Sequence, residues 1–475
     1  MINLREYQNN AVSKMRKSIS EGKRRLILCA PTGAGKTIIF CYMASQAMRK
    51  SKKVLIVTDR IELLKQAGGS LEKFNLKPIE IKAGNELKSL EGTLYVAMAQ
   101  TLHRRVKKPM YQSWINELDL IILDEAHKQS FNYLFEYVQE KTVVIGATAT
   151  PHREGDQKSL HEFYNEIIEV TTIPQLIKDG FLSKPESYGV PIDLSNVKTK
   201  GNDYDNDAMG KEFTEQKLYH GVYDNYMKLT PNYKAIIFAP NVDASKALVA
   251  DFKSKNLPIE HLDANTKKAD RKKILDWYQN TPNALISNVG ILNAGFDCPD
   301  ISVVILYRAT KSLPLFLQMV GRGSRTTPNK NKFTILDFGN NIFTHGYWEE
   351  DRQWHLKKKR KKKQGEAPVK NCPECSFIMP INQMICPNCD HVFIKQESEE
   401  EKQIVILEKL SYNELQKELE TASFEKLNLI AKAKNYKKSW IYHQLKTYED
   451  LLKYEKYMNY KSGWAMYQAK NRGLI

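Results

Sequence analysis

The run Ala30-Pro31-Thr32-Gly33-Ala34-Gly35-Lys36-Thr37 places two glycines, an ammonium and a hydroxyl side by side. It follows Arg25-Leu26-Ile27-Leu28-Cys29, which reads as a buried strand, and precedes Ile38–Ala44, which reads as a helix. Strand, glycine loop and helix form a setting in which backbone N–H groups turn onto phosphate oxygens, with the positive end of the helix dipole behind them. Thr32, Gly33, Ala34 and Gly35 would supply the cradle. Lys36 would reach the outer phosphates and the Thr37 hydroxyl would ligate Mg²⁺. The pattern is a variant: counted from Ala30, alanine stands where the first glycine is usual. The plainer alternative is a flexible loop with a surface lysine, and the flanking strand and helix weigh against it.

Asp124-Glu125-Ala126-His127 follows the apolar run Leu120-Ile121-Ile122-Leu123. Ligands bind at the C-terminal tips of strands in parallel sheets, so Asp124 is placed to hold Mg²⁺ and Glu125 to polarise a water. Alone, such a pair would more often cap a helix; with a phosphate loop upstream, catalysis is the better reading. Phosphoryl transfer asks for little beyond a clamp, a metal and a positioned nucleophile. Farther along, Arg322 and Arg325 stand three residues apart in Gln318-Met319-Val320-Gly321-Arg322-Gly323-Ser324-Arg325. On the helix expected there they would share a face. Guanidinium forks match phosphate oxygens, so both are candidates to stabilise charge developing on a transferred phosphoryl group. The commoner fate of an arginine is a surface ion pair.

These residues need a scaffold, and the chain supplies two. Candidate strands at Leu26–Cys29, Val54–Thr58, Leu94–Met98, Leu120–Leu123 and Val143–Ile145 alternate with helical sequence, the rhythm of βαβ units around a parallel sheet. A second such block has strands at Ala235–Phe238, Ala284–Ser287, Val303–Tyr307 and Phe333–Asp337, with a helix over Asp243–Lys253. Between them, residues 170–230 are less regular, with a short helix at Ile173–Gly180 and a polar loop at Gly201–Asp207. The fold class expected is α/β with two tandem parallel-sheet domains. The boundaries read as 1–168 and 169–350, a basic linker 351–370, a cysteine module 371–395 and a helical region 396–475. A chain of 475 residues accommodates that many parts.

With 72 Lys and Arg against 55 Asp and Glu, the net charge is +17, which favours a polyanionic partner such as nucleic acid. No stretch approaches the ~20 apolar residues of a membrane span, and the first residues lack the shape of a signal peptide. The expectation is a cytoplasmic protein without a membrane partner. Of the seven cysteines, Cys29, Cys41 and Cys298 sit singly in apolar surroundings and read as reduced core residues.

From residue 1 to about 340 the motifs and their order resemble superfamily 2 helicases and translocases of the DEAH-box type. The resemblance implies two RecA-like domains, ATP and Mg²⁺ as ligands, and nucleic-acid-stimulated ATP hydrolysis. Leu4-Arg5-Glu6-Tyr7-Gln8 resembles the adenine-reading motif, which implies contacts of Arg5 and Gln8 with the base. Thr58-Asp59-Arg60 and Ala97-Met98-Ala99-Gln100-Thr101 resemble strand-contacting motifs, which makes Arg60, Gln100 and Thr101, with Thr310, candidates for backbone contacts. Gly146-Ala147-Thr148-Ala149-Thr150-Pro151 resembles the motif coupling hydrolysis to strand binding. The stretch Asn288–Asp297 resembles the fifth motif, with Gly295 and Asp297 near the ribose, and Gln318–Arg325 the sixth. ATP would draw the two domains together, and hydrolysis would release them.

Cys372-Pro373-Glu374-Cys375 and Cys386-Pro387-Asn388-Cys389 form two chelating pairs. Four thiolates suit tetrahedral Zn²⁺, and the short spacer suits a hairpin, hence a zinc ribbon. An iron–sulfur cluster is the chief alternative; the symmetrical C-P-x-C pairs favour zinc. The cation run Lys357–Lys363 reads equally as a solvated linker and as a phosphate-neutralising arm. Tyrosines and tryptophans among the lysines of the tail could stack on bases, but aromatic residues at helical spacing favour a small helical core. This layout resembles RadD-like bacterial and phage helicases, themselves related to XPB-type repair helicases. It implies action on single-stranded or branched DNA in replication, recombination or repair, with a single-strand-binding or replication/repair protein as partner. An RNA helicase, or the motor subunit of a restriction or defence complex without strand separation, are the alternatives.

Overall fold

The computed structural model describes residues 3–59, 69, 71–72, 74–153, 158–189, 194, 197–215, 218–293, 295–357, 369–371, 378–380 and 408–410, and in the tail 424, 427, 441, 445, 447–458, 460 and 462–471. The chain divides into two units. Unit 1 comprises Met1–Thr172 and Arg352–Ile406, and unit 2 comprises Ile173–Asp351 and Leu407–Ile475. Among the described residues no helix is long and apolar enough to cross a membrane.

Unit 1 is built on a seven-stranded parallel sheet. Its strands are β1 (Arg25–Cys29), β2 (Val54–Thr58), β3 (Ile79–Ile81), β4 (Leu94–Met98), β5 (Leu120–Asp124), β6 (Val143–Thr148) and β7 (Glu166–Glu169), in the spatial order β3-β4-β2-β5-β6-β1-β7. Every residue of β2 and β5 is buried, because helices and loops cover both faces of the sheet. Helix α1 (Glu6–Ser20) precedes β1, α2 (Lys36–Met48) follows it, and α3 (Ala99–Arg105) follows β4. The five strands expected of the first block are all present. The sequence reading did not anticipate α1 or the two edge strands, β3 and β7.

Unit 2 repeats the design. Its strands are β8 (Lys184–Gly189), β11 (Ala235–Phe238), β12 (Ile259–Leu262), β13 (Leu285–Asn288), β14 (Val303–Leu306), β15 (Lys332–Asp337) and β18 (Glu408–Leu410). Their order is β12-β13-β11-β14-β15-β8-β18, parallel except where β18 runs against β8. The remaining strands form small pairs. β9 (Thr199–Lys200) and β10 (Asp203–Tyr204) make a hairpin turning at Gly201, where φ is +65°. β16 (Val369–Asn371) and β17 (Ile378–Pro380) make another antiparallel pair, in unit 1. The polar stretch 201–207 is thus a hairpin leading into helix Asn206–Glu215. The helices expected at Ile173–Gly180 and Asp243–Lys253 are found at Ile173–Lys178 and Val242–Ser254.

In the tail, helices Tyr448–Tyr457 and Trp464–Asn471 enclose a small core of Leu427, Ile441, Leu445, Leu451, Tyr454, Ala465 and Ala469. Tyr454 is fully buried among the rings of Phe424, Tyr457, Tyr460 and Trp464. Of the tail aromatics described, Tyr454 is buried, Phe424, Tyr448, Tyr460 and Trp464 are half-buried against the same core, and Tyr457 and Tyr467 are exposed.

Candidate nucleotide site

In unit 1 the cradle, Lys36, Thr37, Asp124 and Glu125 come from the C-terminal edge of its sheet, while Arg5 and Gln8 come from the start of α1. The cradle loop runs from β1 into α2 with Gly33 at φ +91° and Gly35 at φ +78°, conformations that glycine adopts without strain. Gly35 caps α2, so the N–H groups of the first turn, which have no partners inside the helix, open toward the loop. A side chain at Gly35 would place its Cβ 2.5 Å from Gln8 Nε2, a second reason for glycine there.

Gln8 is buried in α1. Its Nε2 donates to Ala34 O at 3.0 Å, its Oε1 accepts from Arg5 N at 2.9 Å, and Tyr7 Oη donates to the same Ala34 oxygen at 3.2 Å. Gln8 thus fastens α1 to the cradle. Its amide keeps one donor and one acceptor, the pair an adenine edge requires.

β6 stands between β1 and β5 in the sheet. Lys36 crosses its end, and its Nζ lies 2.6 Å from Glu125 Oε1 and 3.0 Å from Asp124 Oδ1. The ammonium bridges the two carboxylates that sequence reasoning paired with it. Burial alone would lower the Lys36 pKa, but the two carboxylates overcome it and hold the cation charged. Burial would raise Glu125; Lys36 and His127 outweigh it and hold its carboxyl down at about 2. Glu125 has φ +58°, a left-handed conformation costly for a side-chain-bearing residue, and its backbone N–H bonds Asp124 Oδ1 at 3.1 Å. Glu125 Oε2 and Thr150 Oγ1 are buried without a hydrogen-bond partner among the described residues. Two acidic side chains and the Thr37 hydroxyl are hard oxygen donors of the kind Mg²⁺ takes, so the donor set fits a Mg²⁺-nucleotide.

His127 links this turn to β6. Its Nδ1 lies 2.8 Å from Thr148 Oγ1 and 3.5 Å from Glu125 Oε2. Burial pushes its pKa down to about 4 against the pull of Glu125, so it is neutral at pH 7. Thr148 Oγ1 also accepts from Thr150 N at 3.1 Å. Gly146 makes the closeness feasible, since a Cβ there would lie 2.7 Å from both Ala126 Cβ and Tyr164 Oη. Sequence reasoning missed Arg153. It is buried, and its guanidinium donates to the carbonyls of His127 at 2.7 Å and Lys128 at 3.1 Å and to Asn132 Oδ1 at 2.9 Å, clasping the acidic turn from outside. Its place just after Pro151 was the available signal.

Gln100 and Thr101 occupy the first turn of α3, at the same edge of the sheet. Arg60 lies outside the described residues, as do Cys372, Cys375, Cys386 and Cys389 and all of the Lys357–Lys363 run after Lys357.

In unit 2 the two arginines correct one expectation. The helix before them, Leu313–Val320, ends at Gly321, so Arg322 and Arg325 lie beyond it and share no helical face. Gly323 packs against Phe333 and Val304, where a Cβ would sit 2.6–2.7 Å from their side chains, and the chain turns there. Arg325 then bridges to Leu182, and its carbonyl accepts from Ser183 Oγ at 2.8 Å. Both guanidiniums nevertheless reach the loop after β13. Arg322 donates to the carbonyls of Phe296 and, at 3.0 Å, of Asn293; Arg325 Nε lies 3.4 Å from Asp297 Oδ1. Gly295, φ +77°, turns that loop. Lys330, buried, ties the segments together by donating to Gly323 O at 2.7 Å and Pro299 O at 2.9 Å. Thr310, read as a strand contact, is 1% exposed and its hydroxyl donates to Asp203 Oδ2 at 2.6 Å.

Two α/β units, each with a parallel sheet and a cluster of polar groups on loops after its strands, define a tandem RecA-like helicase fold. Residues 1–153 match the family described as type III restriction enzyme, res subunit, and residues 218–327 match the helicase conserved C-terminal domain. A 51.5 kDa protein of a Lactococcus phage is 32% identical over 80% of this chain and 82% of its own length. IRC3 of Saccharomyces cerevisiae, assigned as an ATP-dependent helicase, is 30% identical over 70% of this chain, and the EcoAI endonuclease subunit of an Escherichia coli type I restriction enzyme 27% over 70%. The chain spans 51% and 46% of those two proteins, about half of each. By fold it is similar to a fragment assigned to the HsdR subunit of a Vibrio vulnificus type I restriction enzyme, with TM-score 0.58 and 22% identity over 72% of this chain and 67% of that one. It is likewise similar to the restriction-modification enzyme LlaBIII bound to DNA, with TM-score 0.53 and 20% identity over 70% of this chain and 28% of that one. The chain belongs to superfamily 2 of the helicases.

Proposed function

We propose that this chain is an ATP-driven DNA translocase or helicase acting on single-stranded or branched DNA in replication, recombination or repair. The observation that carries the reading is the Lys36 ammonium held between Asp124 and Glu125 beneath a glycine cradle, an arrangement suited to a nucleotide's outer phosphates. Bound Mg²⁺ would draw charge from those phosphates, with Thr37 and Asp124 as its oxygen donors. Lys36 exchanges its carboxylate partners for phosphate oxygens. Glu125, ionised at neutral pH and released from the lysine, accepts a proton from the attacking water. Arg322 and Arg325 are the candidate guanidiniums for neutralising charge on the transferred phosphoryl group. The net charge of +17 supports a nucleic-acid track.

The test is the ATPase rate with single-stranded DNA, duplex, fork, four-way junction and RNA. Stimulation by DNA, strongest with single strands or forks, is expected; stimulation by RNA alone, through a 2′-hydroxyl requirement, overturns the DNA assignment. A second reading, the motor of a restriction or defence complex, is favoured by the family matched at residues 1–153 and by the EcoAI relative. It is separated from the first by strand displacement: a translocase strips a third strand from a triplex without unwinding the duplex.

A further inference from the structure

The hairpin β9–β10 carries an acidic residue onto donors that a nucleic-acid strand would use. Asp203 Oδ2 accepts from Thr310 Oγ1 at 2.6 Å, and Asp203 Oδ1 accepts from Lys311 N at 2.7 Å. The Lys311 ammonium lies 4.6 Å from the centre of the Tyr204 ring, so the same hairpin holds the lysine side chain as well. A hydroxyl and a backbone N–H converging on one anion, with an ammonium on the neighbouring ring, form a seat for a phosphate oxygen, and a carboxylate is the nearest protein analogue of that anion. A second observation points the same way. The hairpin borders a cavity of about 520 Å³ at the C-terminal edge of the unit 2 sheet, lined also by Pro240, Asn241, Val289 and Arg308. Arg308 is only 7% exposed, and its Nε has no hydrogen-bond partner; its terminal nitrogen donates to Asn206 Oδ1 at 3.2 Å. A buried guanidinium that borders a cavity and keeps one donor unpartnered carries spare capacity for an anion.

We propose that Thr310, Lys311 and Arg308 form a phosphodiester seat, and that Asp203 is the chain's own occupant of it, which a nucleic-acid strand must displace. The inference rests on the strand-binding reading above and adds its regulation: the hairpin lowers affinity for nucleic acid until a strand outcompetes it. It also explains why Thr310 is buried here. The hairpin is suited to leave, because two strands of two residues each, turning at Gly201, form its whole ladder.

The test is binding of a fluorescent oligo-dT by the full chain, read by anisotropy. Asp203→Asn keeps the shape and removes the charge, and tightens binding about tenfold, the scale of a lost charge-assisted competitor. Asp276→Asn is the control. Asp276 is exposed on helix Lys268–Asn280, away from the cavity, and makes the same charge change. If Asp203→Asn binds no tighter than Asp276→Asn, the seat is overturned while the helicase reading stands. If the wild-type chain binds no strand at all, that reading fails and the seat with it. Hydrogen exchange of the wild-type protein adds a readout independent of any variant. Oligo-dT should speed exchange across residues 199–205, and slowed or unchanged exchange there contradicts displacement.

Discussion

Lys36 Nζ and Glu125 Oε1 stand 2.6 Å apart, although the residues come from different strand ends with β6 between them. The pair ties the phosphate cradle to the acidic turn. Glu125→Gln keeps the shape and removes the proton acceptor. Turnover should fall by about 10²–10⁴-fold with nucleotide affinity retained, measured by steady-state ATPase and by binding of a fluorescent ATP analogue.

The neutral state of His127 gives stability a pH dependence. Its pKa is about 4 in the folded chain against an ordinary 6.5, because burial disfavours the imidazolium. Between those values the unfolded chain binds the extra proton and the folded one does not, so stability falls as pH drops from 6.5 toward 4. The loss amounts to about 3 kcal/mol at most. Urea midpoints of the wild type should decline over that window, and those of His127→Gln should decline less.

Arg325→Ala should cost roughly a thousandfold in turnover with little change in nucleotide affinity, as for an arginine acting on the transition state. Arg325→Lys should not restore it, because a point charge lacks the guanidinium fork. Full activity in either variant would remove Arg325 from the site.

Gly146→Ala should displace the acidic turn, since its Cβ would meet Ala126 Cβ and Tyr164 Oη at 2.7 Å. Overpacking of this kind costs about 1–3 kcal/mol. Thermal melting should show the loss, and adding Ala126→Gly should recover part of it.

Metal analysis of the purified chain should find one zinc bound by the thiolates of Cys372, Cys375, Cys386 and Cys389. Iron with a visible chromophore would overturn the zinc assignment.

Much of this was legible in the sequence, for physical reasons. Leu120–Leu123 and Val54–Thr58 are uninterrupted apolar runs because both faces of their sheet are covered, and such runs announce themselves. Lys36, Asp124 and Glu125 could be paired because strand tips converge on one edge of a parallel sheet. β8 was hidden, since Lys184-Pro185-Glu186-Ser187-Tyr188-Gly189 has poor strand propensity and is a strand through its pairing with β15 and β18. The helix expected through Arg322 and Arg325 failed because the packing that requires Gly323 is tertiary. Arg153 was passed over because its partners are mostly backbone carbonyls, which leave no mark in sequence beyond its place after Pro151.

ATP hydrolysis by the wild-type chain and by Lys36→Ala, each with and without single-stranded DNA, bears most directly on the nucleotide site. The wild type should turn over ATP and accelerate with DNA, while Lys36→Ala should lose roughly a hundredfold or more under both conditions with its fold preserved. A Lys36→Ala protein that hydrolyses ATP at the wild-type rate would contradict the assignment of the cradle, the acidic pair and the motor together.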